Sequence, residues 1–236
     1  NSTIGDFPGN TAKILDFVRR AHAMGAELVV FPEMCLCGYP PMDLLDHASV
    51  VEATLRALRE VQTRSPRGIG ILVGYVDRNR ERAGKPLVNC ASLLQDGKIL
   101  FTQAKSLLPT YDVFDESRYF QPAPRREVFP YRGERLGIAI CEDIWWEAEG
   151  HDPASAERYP VDPVKDLLDL GASLILVPSA SPFHSGKLAV RLGLVSGIGK
   201  TSGVPVVYVN QVGGNDSLIF DGRSFATSAS GRLIFL

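Results

Sequence analysis

The sequence has little cysteine, almost no net charge and no long apolar run. Four cysteines in 236 residues are too few for a disulfide-dense secreted scaffold. With 25 basic and 27 acidic residues, the formal net charge of −2 excludes a chain-wide basic surface for nucleic acid. The longest stretch without polar side chains, residues 68–76, is too short to cross a bilayer. We therefore expect a cytoplasmic protein that binds neither nucleic acid nor membrane.

The rest of the composition is that of an ordinary folded domain. Apolar residues make up 45% and charged residues 22% of the chain. The chain is long enough to bury a core without disulfides or metals. No internal repeat, low-complexity segment or signal-peptide pattern is visible.

Short apolar strands alternate with amphipathic helices along the chain. Helices are predicted at 10–24, with Asn10 as the N-cap, at 49–63, where Ser49 begins a capping box, and at 163–171 and 186–201. Strands are predicted at 28–31, 69–76, 87–94, 98–103, 136–140, 174–177 and 205–209, followed by a terminal hairpin over 217–236. Residues 106–130 and 145–162 are predicted as functional loops. The alternation predicts an α/β or layered α/β/α fold.

Chemically useful side chains follow the ends of several predicted strands. Glu33 follows the first strand, Lys105 the fourth and Cys141 the fifth, while Ser181 and Asn210 follow the last two. Ligands of open α/β sheets bind beyond the carboxyl ends of the strands. We expect a carboxylate, an ammonium and a thiol to converge on one edge of the sheet, a set that can break an amide.

Each of these groups has a chemical task in amide hydrolysis. Only the thiolate of cysteine attacks, and a neighbouring carboxylate can take the thiol proton and return it to the leaving amine. A lysine flanked by carboxylates stays protonated and can stabilise an oxyanion, together with the backbone N–H after the nucleophile. Any one of the three would more often be structural or surface-exposed. Their coincidence at three strand ends favours catalysis.

Three segments carry a family resemblance. They are Phe31-Pro32-Glu33, residues 105–111 (KSLLPTY) and residues 141–145 (CEDIW). In order and spacing they resemble the nitrilase, or carbon–nitrogen hydrolase, superfamily over essentially the whole chain. Further segments resemble, more narrowly, the glutaminase domains of glutamine-dependent NAD⁺ synthetases; these are GYPP at 38–41, DESRYF at 115–120, SASPFHSGK at 179–187 and NQVGG at 210–214.

The resemblance implies a four-layer α-β-β-α sandwich and assigns catalytic roles by position. Glu33 would be the general base, Lys105 the oxyanion stabiliser and Cys141 the nucleophile that forms a glutamyl thioester. Glu116 matches the supporting second glutamate of the superfamily.

The resemblance also implies a site for L-glutamine. Tyr111, Ser181 and Lys187 match positions that bind this substrate. Glu142 would hold its α-amino group or simply buttress the loop. The implied reaction converts glutamine and water to glutamate and ammonia, with no metal and no cofactor in this domain.

Domain organisation and partners follow from the same resemblance. Residues 1–236 would be the carbon–nitrogen hydrolase domain, with a first strand missing before Asn1. A C-terminal synthetase domain, which needs ATP and Mg, would lie outside this sequence and use the ammonia to amidate deamido-NAD to NAD⁺. A homo-oligomer is expected. The alternative is a stand-alone nitrilase-superfamily amidase acting on another small amide.

Other hypotheses and motifs have weaker support. Residues 193–201 resemble a phosphate loop with one residue too many, and residues 213–217 resemble an ATP-pyrophosphatase signature that we interpret as a turn. The four histidines show no metal-ligand spacing, and Cys35 and Cys37 lack a second pair for zinc. A Cys141–His184 protease leaves the strand-end carboxylate and ammonium unexplained. A non-catalytic module on the same fold remains a further alternative.

Overall fold

Helices and strands alternate through residues 1–81, 83–146 and 159–236, the part of the chain that the computed structural model describes. The helices are α1 (Phe7–Ala23), α2 (Ala48–Arg64), α3 (Glu116–Tyr119), α4 (Pro163–Asp169) and α5 (Lys187–Ser202). The strands are β1 (Leu28–Val30), β2 (Gly70–Arg78), β3 (Leu87–Gln95), β4 (Lys98–Ala104), β5 (Val128–Tyr131), β6 (Glu134–Ile138), β7 (Leu174–Ser179), β8 (Val206–Asn210), β9 (Val212–Asn215), β10 (Leu218–Asp221), β11 (Phe225–Thr227) and β12 (Leu233–Phe235). Short 3₁₀ turns span Met42–Asp46 and Cys141–Ile144. Most of the predicted loop at 145–162, namely residues 147–158, lies outside the described residues.

The strands form two main sheets. Sheet 1 has the order β1-β2-β3-β4, and sheet 2 has the order β12-β11-β8-β7-β6-β5. In sheet 1, β1 runs parallel to β2, and two antiparallel steps bring β4 into the same direction. In sheet 2, β6, β7 and β8 are parallel. The strand ends that carry the predicted site therefore belong to two sheets, which corrects the expectation of a single sheet edge.

The two sheets pack face to face, with helices on the outer faces. Alternate side chains of β2 show this: Ile71 and Val73 join the core beneath α1 and α2, while Leu72 joins the core between the sheets. From sheet 2, Ile138 and Leu176 meet Leu72 in that central core. A third core lies between sheet 2 and helices α4 and α5. The arrangement confirms the four-layer α-β-β-α sandwich.

The predicted starts of the first two helices are wrong in detail, whereas α4 begins at Pro163 as predicted. Asp6, not Asn10, caps α1, because its carboxylate accepts from Gly9 N. Asn10 is instead buried and bonds main-chain oxygens in its surroundings. Helix α2 begins after His47 with no side-chain cap, and Ser49 lies inside it. The Asn10 side chain thus bonds backbone groups of other segments, which a local sequence pattern does not reveal.

The predicted terminal hairpin and the loop at 106–130 also differ from the structure. Strands β9 and β10 pair with each other, while the final hairpin joins only β11 to β12, around a turn at residues 228–232. The loop contains α3 and the edge strand β5. Pro130 lies in β5, where proline is tolerated because an edge strand needs fewer ladder hydrogen bonds.

The nucleotide-binding motifs do not have the backbone that phosphate binding needs. Residues 193–201 lie inside α5 instead of between a strand and a helix, so the phosphate-loop hypothesis is wrong. Residues 213–217 form the end of β9 and a turn, as interpreted from the sequence. Within the described ranges, no helix combines the length and the apolar character needed to span a bilayer.

Candidate active site

Glu33 lies just beyond β1 and is held from both sheets. The residue is 1% exposed. Its Oε1 accepts from Lys105 Nζ at 2.8 Å and from Asn89 Nδ2 at 2.6 Å. Its Oε2 accepts from the backbone N of Ala180, beyond β7, at 3.1 Å. The carboxylate therefore has a fixed position between the two sheets.

Lys105 forms the centre of a buried ion network. Its Nζ donates to Glu33 and to both oxygens of Glu116, at 2.8 and 2.9 Å, and the Tyr39 hydroxyl donates to Glu116 at 2.8 Å. Burial would lower the pKa of Lys105, but the charges of Glu116 and Glu33 hold it well above its usual value. Burial raises the pKa of Glu116 although Lys105 opposes this. The ammonium stays charged although the side chain is 1% exposed.

Cys141 begins the 3₁₀ turn that follows β6, with a left-handed backbone φ of 47°. It is partly exposed, whereas Cys35, Cys37 and Cys90 are buried. Burial of its sulfur and the charge of Glu33 raise the pKa of Cys141 well above its usual value, and Lys105 only partly opposes them. The resting thiol is thus protonated, beside a carboxylate and an ammonium.

Asp143 ties the nucleophile turn to the lysine loop. One carboxylate oxygen accepts from the backbone N of Ser106 at 2.9 Å and of Leu107 at 2.8 Å. The other accepts from Ile140 N at 2.9 Å. Burial raises the pKa of Asp143 to about 7, against the effect of these three N–H donors. This carboxyl sets the distance between the segment carrying Cys141 and the segment after Lys105.

Glu142 is buried and accepts from two tyrosine hydroxyls. Tyr111 donates to both of its oxygens at 3.1 and 3.0 Å, and Tyr159 donates to Oε1 at 3.1 Å. Burial, followed by the charge of Glu142, raises the pKa of both tyrosines, so both hydroxyls remain donors. Trp146 fixes Tyr159 further, because its indole N–H donates to the Tyr159 carbonyl at 2.9 Å. The Glu142 carboxylate, in the residue that follows Cys141, is therefore held in a fixed orientation.

Ser181 is held by a completely buried arginine of α5. Arg191 donates to Ser181 Oγ at 3.2 Å and to the Ser181 carbonyl at 2.7 Å, and pairs with Asp221 at 2.7 Å. Asn210 Oδ1 accepts from Ser181 N at 2.8 Å. Since Arg191 cannot accept, the Ser181 hydroxyl proton points to another partner. Ser181 is thereby prepared as a hydrogen-bond donor.

Lys187 supplies a second positive charge at the mouth of the site. It is the first residue of α5, and its Nζ lies 4.0 Å from the centroid of the Trp145 ring. Burial lowers the pKa of Lys187, while the nearby Cys141 and Glu142 raise it. A helix N-terminus and an ammonium together favour an anionic group. Glu142 and Lys187 thus give the site an acidic and a basic side.

The structure brings the predicted catalytic residues into one cluster. Glu33, Lys105 and Glu116 are joined by hydrogen bonds, and Cys141 lies within electrostatic reach of the first two. Tyr111 donates a hydrogen bond to Glu142, and Lys187 lies near Cys141 and Glu142. Ser181 follows Ala180, whose backbone N–H donates to Glu33, the predicted base. Their catalytic and binding roles stay predictions.

Sequence reasoning missed the residues that hold this cluster in place. They are Tyr39, Asn89, Asp143, Tyr159 and Arg191. Two of them had a visible signal, because Tyr39 and Asp143 lie within segments that carry the resemblance. Asn89 and Arg191 lie inside a strand and a helix, where only tertiary packing shows what their side chains contact.

Among the described residues, no group of three or more His, Cys, Asp or Glu side chains is arranged to hold a metal ion. His184, the other residue considered as a partner of Cys141, is exposed, and its ring bonds the neighbouring Ser185 carbonyl. The groups that meet at the site are a protonated thiol, a fixed carboxylate base and a buried ammonium. Such a set can add a thiol to an amide and stabilise the resulting oxyanion.

The chain matches known proteins over nearly its whole length. Residues 1–235 match the family described as carbon-nitrogen hydrolase. A glutamine-dependent NAD(+) synthetase of Synechocystis is 46% identical over 239 residues, which cover 99% of this chain and 42% of the relative. The corresponding protein of Thermotoga maritima is 38% identical over 236 residues, or 99% of this chain and 38% of the relative. The chain thus spans about two fifths of the length of these curated relatives.

Solved structures show the same fold. The glutamine-dependent NAD⁺ synthetase from Acinetobacter baumannii, solved with ADP, superposes with a TM-score of 0.85 at 34% identity, covering 100% of this chain and 41% of that one. An amidase from Nesterenkonia sp. superposes with a TM-score of 0.80 at 24% identity, covering 99% of this chain and 81% of that one. The second likeness concerns the fold alone.

Proposed function

The chain belongs to the carbon–nitrogen hydrolase family, and we propose that it hydrolyses the side-chain amide of glutamine through a thioester on Cys141. The observation that carries the proposal is the buried Glu33–Lys105–Glu116 network beside a protonated, partly exposed thiol. A network of this kind costs desolvation energy, which makes it a poor device for stability alone. It provides a base and an oxyanion-stabilising charge at fixed positions.

The reaction proceeds in two balanced steps. Glu33 takes the Cys141 proton as the sulfur attacks the amide carbon, and Lys105 stabilises the negative charge on the carbonyl oxygen. The carbon–nitrogen bond breaks when Glu33 returns the proton to the leaving nitrogen, which departs as ammonia. A water then attacks the thioester, Glu33 takes one of its protons, and the thiolate leaves and is reprotonated. The products are glutamate and ammonia.

The polar ends of the pocket favour a zwitterionic amino-acid amide. Glu142, oriented by Tyr111 and Tyr159, can accept from an α-ammonium group. Lys187 and the hydroxyl of Ser181 can donate to an α-carboxylate or another acceptor. A zwitterion needs both kinds of partner, and leaving either charge unpaired in the site would be unfavourable. These contacts support glutamine over an uncharged aliphatic amide.

We further propose that the ammonia serves the amidation of deamido-NAD to NAD⁺ by an adjoining ATP-dependent synthetase domain, where ATP and Mg would bind. The names of the relatives and the share of their length that this chain covers support this proposal. Supplying glutamine labelled with ¹⁵N in its amide, in the presence of unlabelled ammonium, tests the transfer in the natural full-length protein. Direct transfer predicts labelled NAD⁺ carboxamide, whereas release into solution predicts dilution of the label.

Covalent trapping tests the glutaminase proposal. We expect a diazo-ketone analogue of glutamine to add once to the wild-type protein at Cys141, and excess glutamine to block the addition. Cys141→Ala should remove the adduct, while Cys90→Ala, at a buried cysteine, should retain it. Labelling that ignores glutamine but is blocked by another small amide would instead indicate the stand-alone amidase. No adduct in the natural full-length protein would contradict catalysis by this thiol.

A further inference from the structure

Asn89 contacts every member of the ion network, although the reaction described above does not involve it. Its Nδ2 donates to Glu33 Oε1 at 2.6 Å and to Glu116 Oε2 at 3.3 Å. Its main-chain oxygen accepts from Lys105 N at 2.8 Å. The residue is 1% exposed and lies in β3, next to the lysine-bearing end of β4. One residue thus bonds two carboxylates and the backbone of the lysine between them.

The side-chain amide of Asn89 has one satisfied end and one unsatisfied end. Carboxylate oxygens accept, so the amide nitrogen must face Glu33 and Glu116. The amide oxygen is then buried, and it has no hydrogen-bond partner among residues 1–81, 83–146 and 159–236. Burying an acceptor without a donor is unfavourable. An arrangement that lowers stability in this way is expected mainly at functional positions.

We propose that Asn89 is a positioning residue that holds Glu33 and Glu116 as a pair of carboxylates around Lys105. The inference rests on the proposed function, since it gives Asn89 a part in preparing Glu33 to accept the thiol proton. Two carboxylates around one ammonium leave an uncompensated negative charge in a buried site. A neutral amide donates a hydrogen bond to each carboxylate without adding charge, so the negative charge of the pair is partly offset.

Other residue types at this position lack that combination. An aspartate would add a third negative charge to the network. A leucine has nearly the same shape but no donor, and it also removes the unpartnered oxygen. An alanine leaves space that a water molecule can enter and use to donate in place of the amide. Leucine therefore separates the loss of the donor from the loss of packing.

Every other charged or titratable group around the pair is retained in Asn89→Leu. Tyr39 faces Glu116 from the loop after β1, and Cys141 faces Glu33 from the turn after β6. Cys37 lies near Glu33, and Asp143 faces Lys105 across the 106–107 segment. A change in pH dependence can then be assigned to the missing amide.

The pH dependence of Cys141 alkylation by iodoacetamide tests the inference without using the substrate. The assay reports Cys141 because this residue is partly exposed, whereas Cys35, Cys37 and Cys90 are buried and not accessible to the reagent in the folded protein. Ser92→Ala is the matched control, since Ser92 is a buried polar residue of the same strand that bonds Tyr75 and Thr102. The measurement uses the natural full-length protein, with melting temperature and steady-state kinetics for each variant.

We expect Asn89→Leu to move the apparent pKa of alkylation upward by about one unit and to lower the rate near pH 7 by about ten-fold. The kcat for glutamine should fall with little change in KM, and the melting temperature should stay near that of wild type. Asn89→Ala should shift the profile in the same direction by less. Ser92→Ala should leave the profile unchanged.

A merely structural role predicts a different result. An unshifted profile in Asn89→Leu, or a loss of rate that only follows the unfolded fraction, would overturn the inference. Failure of the proposed function is distinguishable, because a wild-type protein that does not hydrolyse glutamine still gives an alkylation profile. In that case a shift on Asn89→Leu supports Asn89 as the residue that positions the carboxylates for a different substrate.

Discussion

The backbone of the Glu33 turn lies directly on a glycine of β2, and a single methyl group there should disable the base. A Cβ added at Gly74 would lie 2.6 Å from both Met34 N and Pro32 O, and 2.9 Å from Glu33 Cα. Ordinary contact needs about 3.5 Å, so the turn must retreat by about 1 Å in Gly74→Ala. The neighbouring atoms are backbone, which has no side-chain rotamer to absorb the displacement.

A shift of this size is large compared with the geometry that holds Glu33. The Glu33 carboxylate accepts hydrogen bonds from Asn89, Lys105 and Ala180 at 2.6 to 3.1 Å. A misplacement of about 1 Å in a catalytic group lowers the rate by about 100-fold, which corresponds to about 2.7 kcal/mol of transition-state stabilisation. Overpacking should also cost about 1–3 kcal/mol in the free energy of unfolding.

The assay compares kcat/KM for glutamine hydrolysis and thermal unfolding in Gly74→Ala and Gly70→Ala. Gly70 lies at the start of the same strand, and its added Cβ would crowd the Tyr131 side chain, 2.4 Å from the hydroxyl oxygen and 2.8 Å from Cζ, instead of the backbone of the Glu33 turn. We expect Gly70→Ala to keep kcat/KM within about two-fold of wild type. A folded Gly74→Ala protein with nearly normal activity would refute the reasoning, as would an equal loss in both variants.

Two further predictions concern the residues that hold the nucleophile turn and those that hold Glu142, the proposed partner of the substrate α-ammonium. In Asp143→Asn the side-chain N–H would face the Ile140 N–H, which leaves two donors with no acceptor between them. The free energy of unfolding, measured by chemical denaturation, should therefore fall by about 1–3 kcal/mol, and kcat should fall with a smaller change in KM. The pKa of Asp143 is raised to about 7 in the folded state, so its protonated carboxyl stabilises the fold below about pH 4, and this stabilisation is lost as pH rises to about 7. The free energy of unfolding of Asp143→Asn should lack this decline. An identical decline in both proteins would contradict the assignment. Tyr159→Phe and Tyr111→Phe each remove a donor to Glu142 and should raise KM for glutamine about ten-fold at constant kcat in initial-rate kinetics. A fall in kcat alone would show that Glu142 only buttresses the loop.

The sequence predicted most of the strands and the residues at their ends, because both depend on local pattern. Apolar runs such as 69–76 correspond to β2, and the residues that follow β1, β4 and β6 do reach the site. The assignment of these ends to two sheets could not be predicted from periodicity. An apolar run that is covered on both faces does not show whether a helix or another sheet covers it.

The positioning residues were harder to predict than the residues they position. Arg191 in α5 has the helical context of a surface residue, yet it is completely buried and bonds three groups from other segments. Asn89 lies in a strand, where asparagine is unfavourable on local grounds. In both cases the reason for the residue lies in contacts with distant segments, such as Glu116 for Asn89, 27 residues away.

The division of the site between the sheets explains why so many residues serve to hold it together. The base, the lysine and Asn89 belong to sheet 1 or its loops, whereas Cys141 and Ala180 follow strands of sheet 2. The central core between the sheets is largely apolar, and apolar contacts have no direction that would fix the relative position of the sheets within a fraction of an ångström. Directional contacts are supplied by hydrogen bonds between the two sheets. At the site, Ala180 N donates to Glu33, and the backbone N–H groups of Ser106 and Leu107 donate to Asp143, two residues after Cys141. Loss of either link should therefore lower the rate of thiol activation before it unfolds the protein.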